Sequence, residues 1–263
     1  MFSPRTAALM TALLTCMAAS AQYTIGHARM ELRDESRGNR RVKFEAYYPV
    51  TAQAGSAAPS GMTGCKFPVI CFAHGYQHPG DQYGNLVNIL VPAGYVMLSL
   101  TTFEGPLPSH IGYADEVRFL AASVAGLGND PASPLYGIAD TICCLMGHSM
   151  GGGASFHAAA DNRAVDAIIA LTPYDIRPSA VEAAGRVRVP TLIFSGTADC
   201  ITPVRWQWTF ESCKAEHDIA CRHQDSHQVS ILVSRVLVSV CKAYHRKLPV
   251  SQFVGYIPHR MSG

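Results

Sequence analysis

A serine inside a glycine-rich stretch is the residue of this chain best suited to covalent chemistry. Residues 147–153 have the sequence Gly-His-Ser-Met-Gly-Gly-Gly, after an apolar run and before a run of small residues. This pattern predicts a strand, a tight turn and a helix, with Ser149 at the turn. The flanking glycines let the two backbones approach closely. A serine beside a helix N-terminus, which stabilises developing negative charge, is placed for nucleophilic attack.

A serine hydroxyl is a weak nucleophile and needs a base that is itself oriented by an acid. Two aspartates follow predicted strands downstream of the serine: Asp199 comes after the apolar run at 191–195, and Asp175 comes after the strand before it. Sites in open α/β sheets lie at the carboxyl ends of strands. We favour Asp199 as the acid, with Asp175 as the alternative.

In the chain order of serine, acid and histidine, the base is expected among the histidines that follow Asp199, which are His217, His223, His227, His245 and His259. His227 stands just before an apolar, periodic segment that begins at Val229 and that we interpret as the last helix. A base in the loop between the last strand and the last helix would therefore be His227. His223, four residues earlier, is the alternative if that helix starts sooner.

Two backbone amides are expected to stabilise the oxyanion that forms when a serine attacks a carbonyl. One is the amide of Met150, directly after the nucleophile. The other is the amide of Tyr76, because Gly75 permits a turn after the strand at 67–73. Each donor is typically worth about 3 kcal/mol of transition-state stabilisation. His74 is predicted to be a packed loop residue and not a second base.

Aromatic residues expected near the predicted catalytic residues are candidates for an apolar wall of the substrate site. Tyr76 and Tyr174 each follow the end of a predicted strand. Trp206 is the third candidate, although for Trp206 and its neighbour Trp208 packing within a helix is an equally good interpretation.

Apolar runs alternate with helical patterns along the chain, which predicts an α/β fold with a mostly parallel central sheet and helices on both faces. The loop at 171–189 leaves no room for a lid domain. The segment at 216–225 is polar and is predicted to be a poor strand. The predicted strands are 42–49, 67–73, 95–100, 141–146, 164–171 and 189–195, and the predicted helices are 82–92, 113–126, 206–214 and 229–245.

The first 21 residues have the pattern of a secretory signal peptide: Arg5, an apolar run, and a small-residue cleavage site ending at Ala21. We therefore expect a secreted or periplasmic protein with a single domain over 22–263, whose part after about 215 is atypical. The 263-residue chain has 21 basic and 19 acidic residues, and this nearly balanced charge does not indicate a nucleic-acid-binding protein. We expect no membrane span, and we expect a monomer.

The chain has 9 cysteines, and disulfides are plausible in an exported protein. Cys143 and Cys144 lie in the strand before the serine and are predicted to be buried thiols. Cys200 and Cys213, which flank a predicted helix, are the favoured disulfide pair. No spacing of His and Cys suggests a metal site, and the chemistry outlined above needs no cofactor.

Four stretches of the chain resemble secreted bacterial carboxylesterases of the α/β-hydrolase superfamily. The resemblance is closest to the cutinase-like polyester hydrolases, including those that act on polyethylene terephthalate. It covers about 40–205 and is carried by residues 74–76, 147–153, 170–174 and 199–203. It implies that Tyr174 lines the substrate cleft and that the amides of Tyr76 and Met150 form the oxyanion hole.

The chain order of serine, acid and histidine is that of the superfamily. The resemblance thus implies a serine esterase with the triad Ser149, Asp199 and His227, acting on esters or polyesters through an acyl-enzyme. The alternatives are a lipase, a relative of chlorophyllase or dienelactone hydrolase, or a catalytically impaired protein of this fold. A dienelactone hydrolase would normally carry Cys at position 149, where this chain has Ser.

Overall fold

A computed structural model of the protein describes residues 23–50, 66–196 and 199–203, together with the backbone of 218–223. Eight strands form one sheet in the order β1-β2-β4-β3-β5-β6-β7-β8. Their bounds are β1 Thr24–Asp34, β2 Arg40–Val50, β3 Phe67–Ala73, β4 Val96–Leu100, β5 Ala139–His148, β6 Ala167–Leu171, β7 Thr191–Gly196 and β8 Asp218–His223.

The sheet is antiparallel at one edge and parallel everywhere else. Strand β1 pairs antiparallel with β2, and β2 pairs antiparallel with β4. All other neighbours, from β4 through β3 to β8, are parallel. The carboxyl ends of β3, β5, β6 and β7 consequently meet at one edge of the sheet, where the predicted site residues follow them.

Helices cover both faces of the sheet. They are α1 Gly84–Leu90, α2 His110–Asn129, α3 Met150–Ala159 and α4 Ala180–Ala184. Alternate residues of β3 show the two-layer core: Val69 and Cys71 pack on the face with α2, α3 and α4, whereas Ile70 and Phe72 pack on the face with α1. Burial on both faces explains why the central strands are continuous apolar runs.

The predicted α/β architecture is confirmed, and the predicted strands match β2 to β7 to within a few residues. The predicted helices at 82–92 and 113–126 correspond to a 3-10 turn at Gly80–Tyr83 continued by α1, and to α2. Between β6 and β7 there is one helix of 5 residues, α4, so the described chain carries no lid at that point.

One prediction about the sheet is wrong. The polar segment at 216–225 contains β8, which pairs in parallel with β7 from Thr191↔Asp218 to Gly196↔His223. An edge strand exposes one side to water, so it forms without the apolar run that identified the central strands. This pairing brings His223 to the carboxyl end of the sheet.

Several predictions concern residues that the structure does not describe. They are the leader at 1–21, the helices at 206–214 and 229–245, Trp206, His227 and Cys213. Among the described residues, no helix combines the length and apolar character needed to cross a bilayer. Cys71, Cys143 and Cys144 are buried and form no disulfide within the described ranges, as predicted for the last two. Cys200 is exposed, and its pairing with Cys213 stays a prediction.

Candidate active site

Ser149 occupies a sharp turn between β5 and α3, with φ 52° and ψ −115°. A non-glycine residue at such a φ stores strain of order 1–3 kcal/mol, which the surrounding structure must offset. Three backbone hydrogen bonds hold it. Its amide donates to the carbonyl of Leu171 at 2.9 Å, and its carbonyl accepts from Gly153 at 3.1 Å and from Tyr174 at 3.0 Å. The serine is therefore fixed by β6, by the loop after β6 and by its own helix.

The glycines around the serine are required by close backbone contacts. A Cβ on Gly147 would lie 2.2 Å from the carbonyl oxygen of Gly151. A Cβ on Gly151 would lie 2.1 Å from the carbonyl oxygen of Ala73, at the end of β3. Separations under 3 Å are not tolerated, so helix α3 reaches this position only because both residues lack a side chain.

The two amides predicted for the oxyanion hole lie on either side of this contact. Tyr76 follows the end of β3, and Met150 is the first residue of α3. Within the described part of the chain, neither amide donates to a protein acceptor. Orphan N–H groups at a helix start and in a tight turn are the kind of donors that stabilise an oxyanion.

The buried side chain of His74 holds the loop after β3 in place through hydrogen-bond contacts. Its Nδ1 lies 2.8 Å from the carbonyl oxygen of Gly75, and its Nε2 lies 2.7 Å from the carbonyl oxygen of Thr102. The hydroxyl of the buried Tyr113 donates to the carbonyl of His74 at 3.3 Å. These contacts agree with the prediction that His74 is a packed loop residue.

Asp199 follows β7 and is held by a set of local hydrogen bonds. Its Oδ1 accepts from the amides of Ile201 at 2.9 Å and Thr202 at 2.8 Å, and its Oδ2 accepts from the hydroxyl of Thr202 at 2.7 Å. Burial alone would raise the pKa of Asp199, but these hydrogen bonds outweigh it and lower the pKa below its usual value. The carboxylate is thus ionised at neutral pH, as an orienting acid must be.

Asp175, the alternative acid, is engaged in the start of helix α4. Its Oδ1 accepts from the Ser179 hydroxyl at 2.9 Å and from the amides of Ala180 at 2.7 Å and Val181 at 3.3 Å. These bonds satisfy the otherwise orphan donors of a helix N-terminus. Asp175 and Asp199 thus both accept several local hydrogen bonds, and the choice of Asp199 as the acid stays a prediction.

Two of the three predicted wall residues lie at the rim of this edge. Tyr174 is 40% exposed and Tyr76 is 45% exposed. The amide of Tyr174 donates to the Ser149 carbonyl, which places its residue next to the nucleophile. The hydroxyl of Tyr76 donates to the carbonyl of Pro106 at 2.8 Å. Trp206 lies outside the described residues.

The predicted base, His227, also lies beyond the described ranges, and for His223 only the backbone is described. A feature that the sequence analysis did not single out is His148, directly before the nucleophile. Its Nδ1 lies 2.8 Å from the hydroxyl of Tyr83. The sequence around His148 does not indicate its contact with Tyr83, because the two residues are 65 positions apart in the chain.

Nothing in the described ranges forms a metal site, since no three His, Cys, Asp or Glu side chains come together there to hold an ion. The expectation that the protein works without a metal or cofactor stays a prediction.

The mostly parallel sheet, with a strained serine on the turn between its central strand and the following helix, defines an α/β-hydrolase fold. A family model described as PETase, PET hydrolase-like, matches residues 45–229. The chain belongs to this PET hydrolase-like family.

Curated relatives match shorter parts of the chain. Cutinase 2 of Thermobifida cellulosilytica is 32% identical over 115 residues, which is 42% of this chain and 40% of that protein. A cutinase of Thermobifida fusca (strain YX) is also 32% identical over 115 residues, 33% of its length. A bis(hydroxyethyl) terephthalate hydrolase of Streptomyces coelicolor is 42% identical over 60 residues, which is 23% of this chain and 18% of that protein. The chain thus spans 40% or less of each of these relatives.

The glycine contacts lead to a prediction about folding. Gly151→Ala places a methyl group 2.1 Å from the Ala73 carbonyl oxygen, so we expect lower yield of folded protein and loss of any activity that depends on Ser149. Gly126→Ala is the matched control, because Gly126 lies in α2 with nothing within 4 Å of its added Cβ. We expect it to raise the free energy of unfolding by about 0.5–1 kcal/mol. Urea unfolding measures the free energy of unfolding of both variants, and equal stability would show that the contact between Gly151 and the Ala73 carbonyl does not exclude a methyl group.

The hydrogen bonds of Asp199 lead to a prediction about pH. Thr202→Val removes one donor, so the pKa of Asp199 should rise, as measured by carboxyl carbon NMR. The pKa of Asp199 is lower in the folded protein than in the unfolded chain, so its ionised carboxylate stabilises the folded protein. This stabilisation is present above the unfolded pKa of about 3.9 and is lost as the pH falls through the folded pKa. The variant should therefore be destabilised at pH 7 and approach the wild type at low pH.

Thr191→Val is the control for this experiment. Thr191 is buried like Thr202, but its hydroxyl donates to the Val189 carbonyl, which does not titrate. The loss of stability caused by Thr191→Val should therefore not depend on pH. A pH-independent loss for Thr202→Val as well would show that its hydroxyl does not act through Asp199.

Proposed function

We propose that this protein is a serine hydrolase that cleaves carboxylic esters through a covalent acyl-enzyme. The observation that carries the proposal is the strained backbone of Ser149 at the end of β5, with φ 52°, beside two amides without acceptors among the described residues. Strain of this kind persists where the surrounding structure enforces it and is often part of a mechanism. Membership of a family of PET hydrolase-like proteins supports the same reaction class.

In the proposed reaction, the Ser149 hydroxyl oxygen attacks the ester carbonyl carbon while its proton passes to the base. The carbonyl oxygen becomes an oxyanion that accepts hydrogen bonds from the amides of Tyr76 and Met150. When the intermediate collapses, the alcohol leaves with the proton from the base. Water then attacks the acyl-enzyme in the same manner, which releases the carboxylic acid and restores the serine.

We assign the base to His227 and its orientation to Asp199. Asp199 is supported by its position after β7 and by the hydrogen bonds that keep it ionised. His227 is supported by its position four residues after β8: this strand ends at His223, at the carboxyl edge of the sheet, so the chain leaves β8 on the side of the proposed site. His223 remains the alternative.

Polyesters are the substrate class that we infer for the site. The names of the relatives, cutinases and a terephthalate ester hydrolase, motivate this choice. Tyr76 and Tyr174 are 45% and 40% exposed, the amide of Tyr174 donates to the Ser149 carbonyl, and α4 is the only helix in the described segment between β6 and β7. Exposed aromatic rings suit a bulky aromatic ester, and Trp206 would extend this wall. The leader at 1–21 would export the enzyme as a single domain.

The test is hydrolysis of p-nitrophenyl butyrate by the full chain and its variants. Ser149→Ala should lower kcat by about 10⁴-fold or more, and Asp199→Asn by about 10⁴-fold, as in other serine triads. Ser123→Ala is the matched control, because Ser123 lies in α2 and donates only to the Phe119 carbonyl. It should leave kcat unchanged. Equal rates for wild type and Ser149→Ala would overturn the proposal.

The same assay decides between the two histidines. His227→Ala should lower kcat as severely as Ser149→Ala, because residues of a triad act as a unit. His223→Ala should lower it only slightly. The reverse pattern would assign the base to His223, and full activity in both variants would contradict a histidine base from this part of the chain.

A further inference from the structure

The hydroxyl of Tyr83 joins the two loops that form the candidate active site. Tyr83 ends the 3-10 turn at Gly80–Tyr83. The amide of Gly75 donates to its oxygen at 3.0 Å, and Nδ1 of His148 lies 2.8 Å from the same oxygen. Gly75 directly precedes Tyr76, the proposed oxyanion donor, and His148 directly precedes Ser149, the nucleophile.

The Tyr83 oxygen takes part in two hydrogen bonds. The Gly75 amide can only donate, so the Tyr83 oxygen accepts from it. We assign the hydroxyl proton to a hydrogen bond with the His148 Nδ1 lone pair, which puts the ring proton on Nε2; in the other tautomer Nδ1 would donate to the second lone pair of the Tyr83 oxygen. In either tautomer one hydroxyl joins the loop after β3 to the residue before the serine.

Both side chains stay neutral, as this arrangement requires. Burial raises the pKa of Tyr83, against a smaller lowering by the Gly75 amide, so the phenol keeps its proton. Burial lowers the pKa of His148, and the neighbouring His78 lowers it further, whereas Asp199 acts in the opposite direction. A neutral imidazole at neutral pH keeps the lone pair that accepts from Tyr83.

Packing leaves little room for this cluster to rearrange. A Cβ on Gly75 would lie 2.8 Å from the His148 Nδ1 and 3.3 Å from the Tyr83 hydroxyl. The Tyr83 ring packs against Phe72 of β3, with ring centroids 4.5 Å apart. The partly buried ring therefore packs against the core and lies 5.8 Å from the His148 ring, and the hydroxyl contacts both loops.

We propose that Tyr83 is a positioning residue, whose hydroxyl fixes the position of the oxyanion loop at Gly75–Tyr76 relative to the nucleophile Ser149. This inference rests on the proposed function, since it concerns the oxyanion hole of that site. The hydroxyl does not touch substrate. It acts through the Gly75 amide on one side and the His148 ring on the other.

The first experiment is Tyr83→Phe in the full chain, which removes the hydroxyl and keeps the ring. Outright loss of an oxyanion donor costs about 10²-fold or more in kcat, and this variant loosens the donor without removing it. We therefore expect kcat for p-nitrophenyl butyrate to fall about tenfold, with KM unchanged. Tyr136→Phe, at a tyrosine that is 53% exposed, is the matched control and should leave both constants unchanged.

A second measurement reports on the oxyanion itself. A trifluoromethyl ketone forms a hemiketal oxyanion with a catalytic serine, so its inhibition constant should weaken in Tyr83→Phe by about the same factor as kcat/KM. A merely structural role would lower the melting temperature and leave this inhibition constant unchanged. Unchanged kcat and unchanged inhibition in a folded Tyr83→Phe variant would overturn the inference.

A double-mutant cycle separates this inference from the proposed function. His148→Leu should lower kcat. His148→Gln should retain part of the lost kcat, because its amide oxygen accepts from the Tyr83 hydroxyl. In the double variant Tyr83→Phe/His148→Leu, the loss of kcat should be smaller than the two single losses combined. Additive losses would show that the two side chains act independently and would contradict the inference. An active Ser149→Ala variant would instead refute the proposed function, so the two failures are distinguishable.

Discussion

The close approach of helix α3 to the end of β3 is the constraint on which the rest of the site depends. The backbone of Gly151 lies so near the Ala73 carbonyl oxygen that a Cβ would come within 2.1 Å of it. This contact places the start of α3 beside the loop after β3. As a result, the amides of Tyr76 and Met150, which we propose as the oxyanion donors, belong to two segments that are distant in the chain and meet at this contact.

Three of the six non-glycine residues with positive φ in the described ranges lie on turns near this contact. Ser149, Gln77 and Thr172 are non-glycine residues with positive φ values of 52°, 51° and 44°, and they sit on the turns after β5, β3 and β6. Such conformations persist where neighbouring structure over-determines them. The Tyr83 hydroxyl, the Leu171 carbonyl and the hydrogen bonds of Thr172 and Tyr174 provide that restraint. The carboxyl edge of the sheet is therefore a rigid frame for the nucleophile.

The sequence predicted the parts of this frame that local pattern determines. Buried strands such as β3 and the glycine spacing around Ser149 are visible because each depends on neighbours within a few residues. Strand β1 was not predicted, since all but one of its residues are exposed or only partly buried, and β8 was misjudged because its residues are polar. The contact between Tyr83 and His148 spans 65 residues and follows from the sheet order, which no local pattern encodes. The choice of Asp199 over Asp175 as the acid stays a prediction, because the position of the base decides it.

The most direct measurement of the central claim is covalent labelling of the folded protein with a fluorophosphonate, followed by peptide mass mapping. An activated serine at the turn between β5 and α3 predicts a single phosphonyl adduct on Ser149. The Ser149→Ala protein, checked for folding by circular dichroism, should take up no label. A folded wild-type protein that remains unlabelled, or that carries its adduct on another residue, would contradict the account.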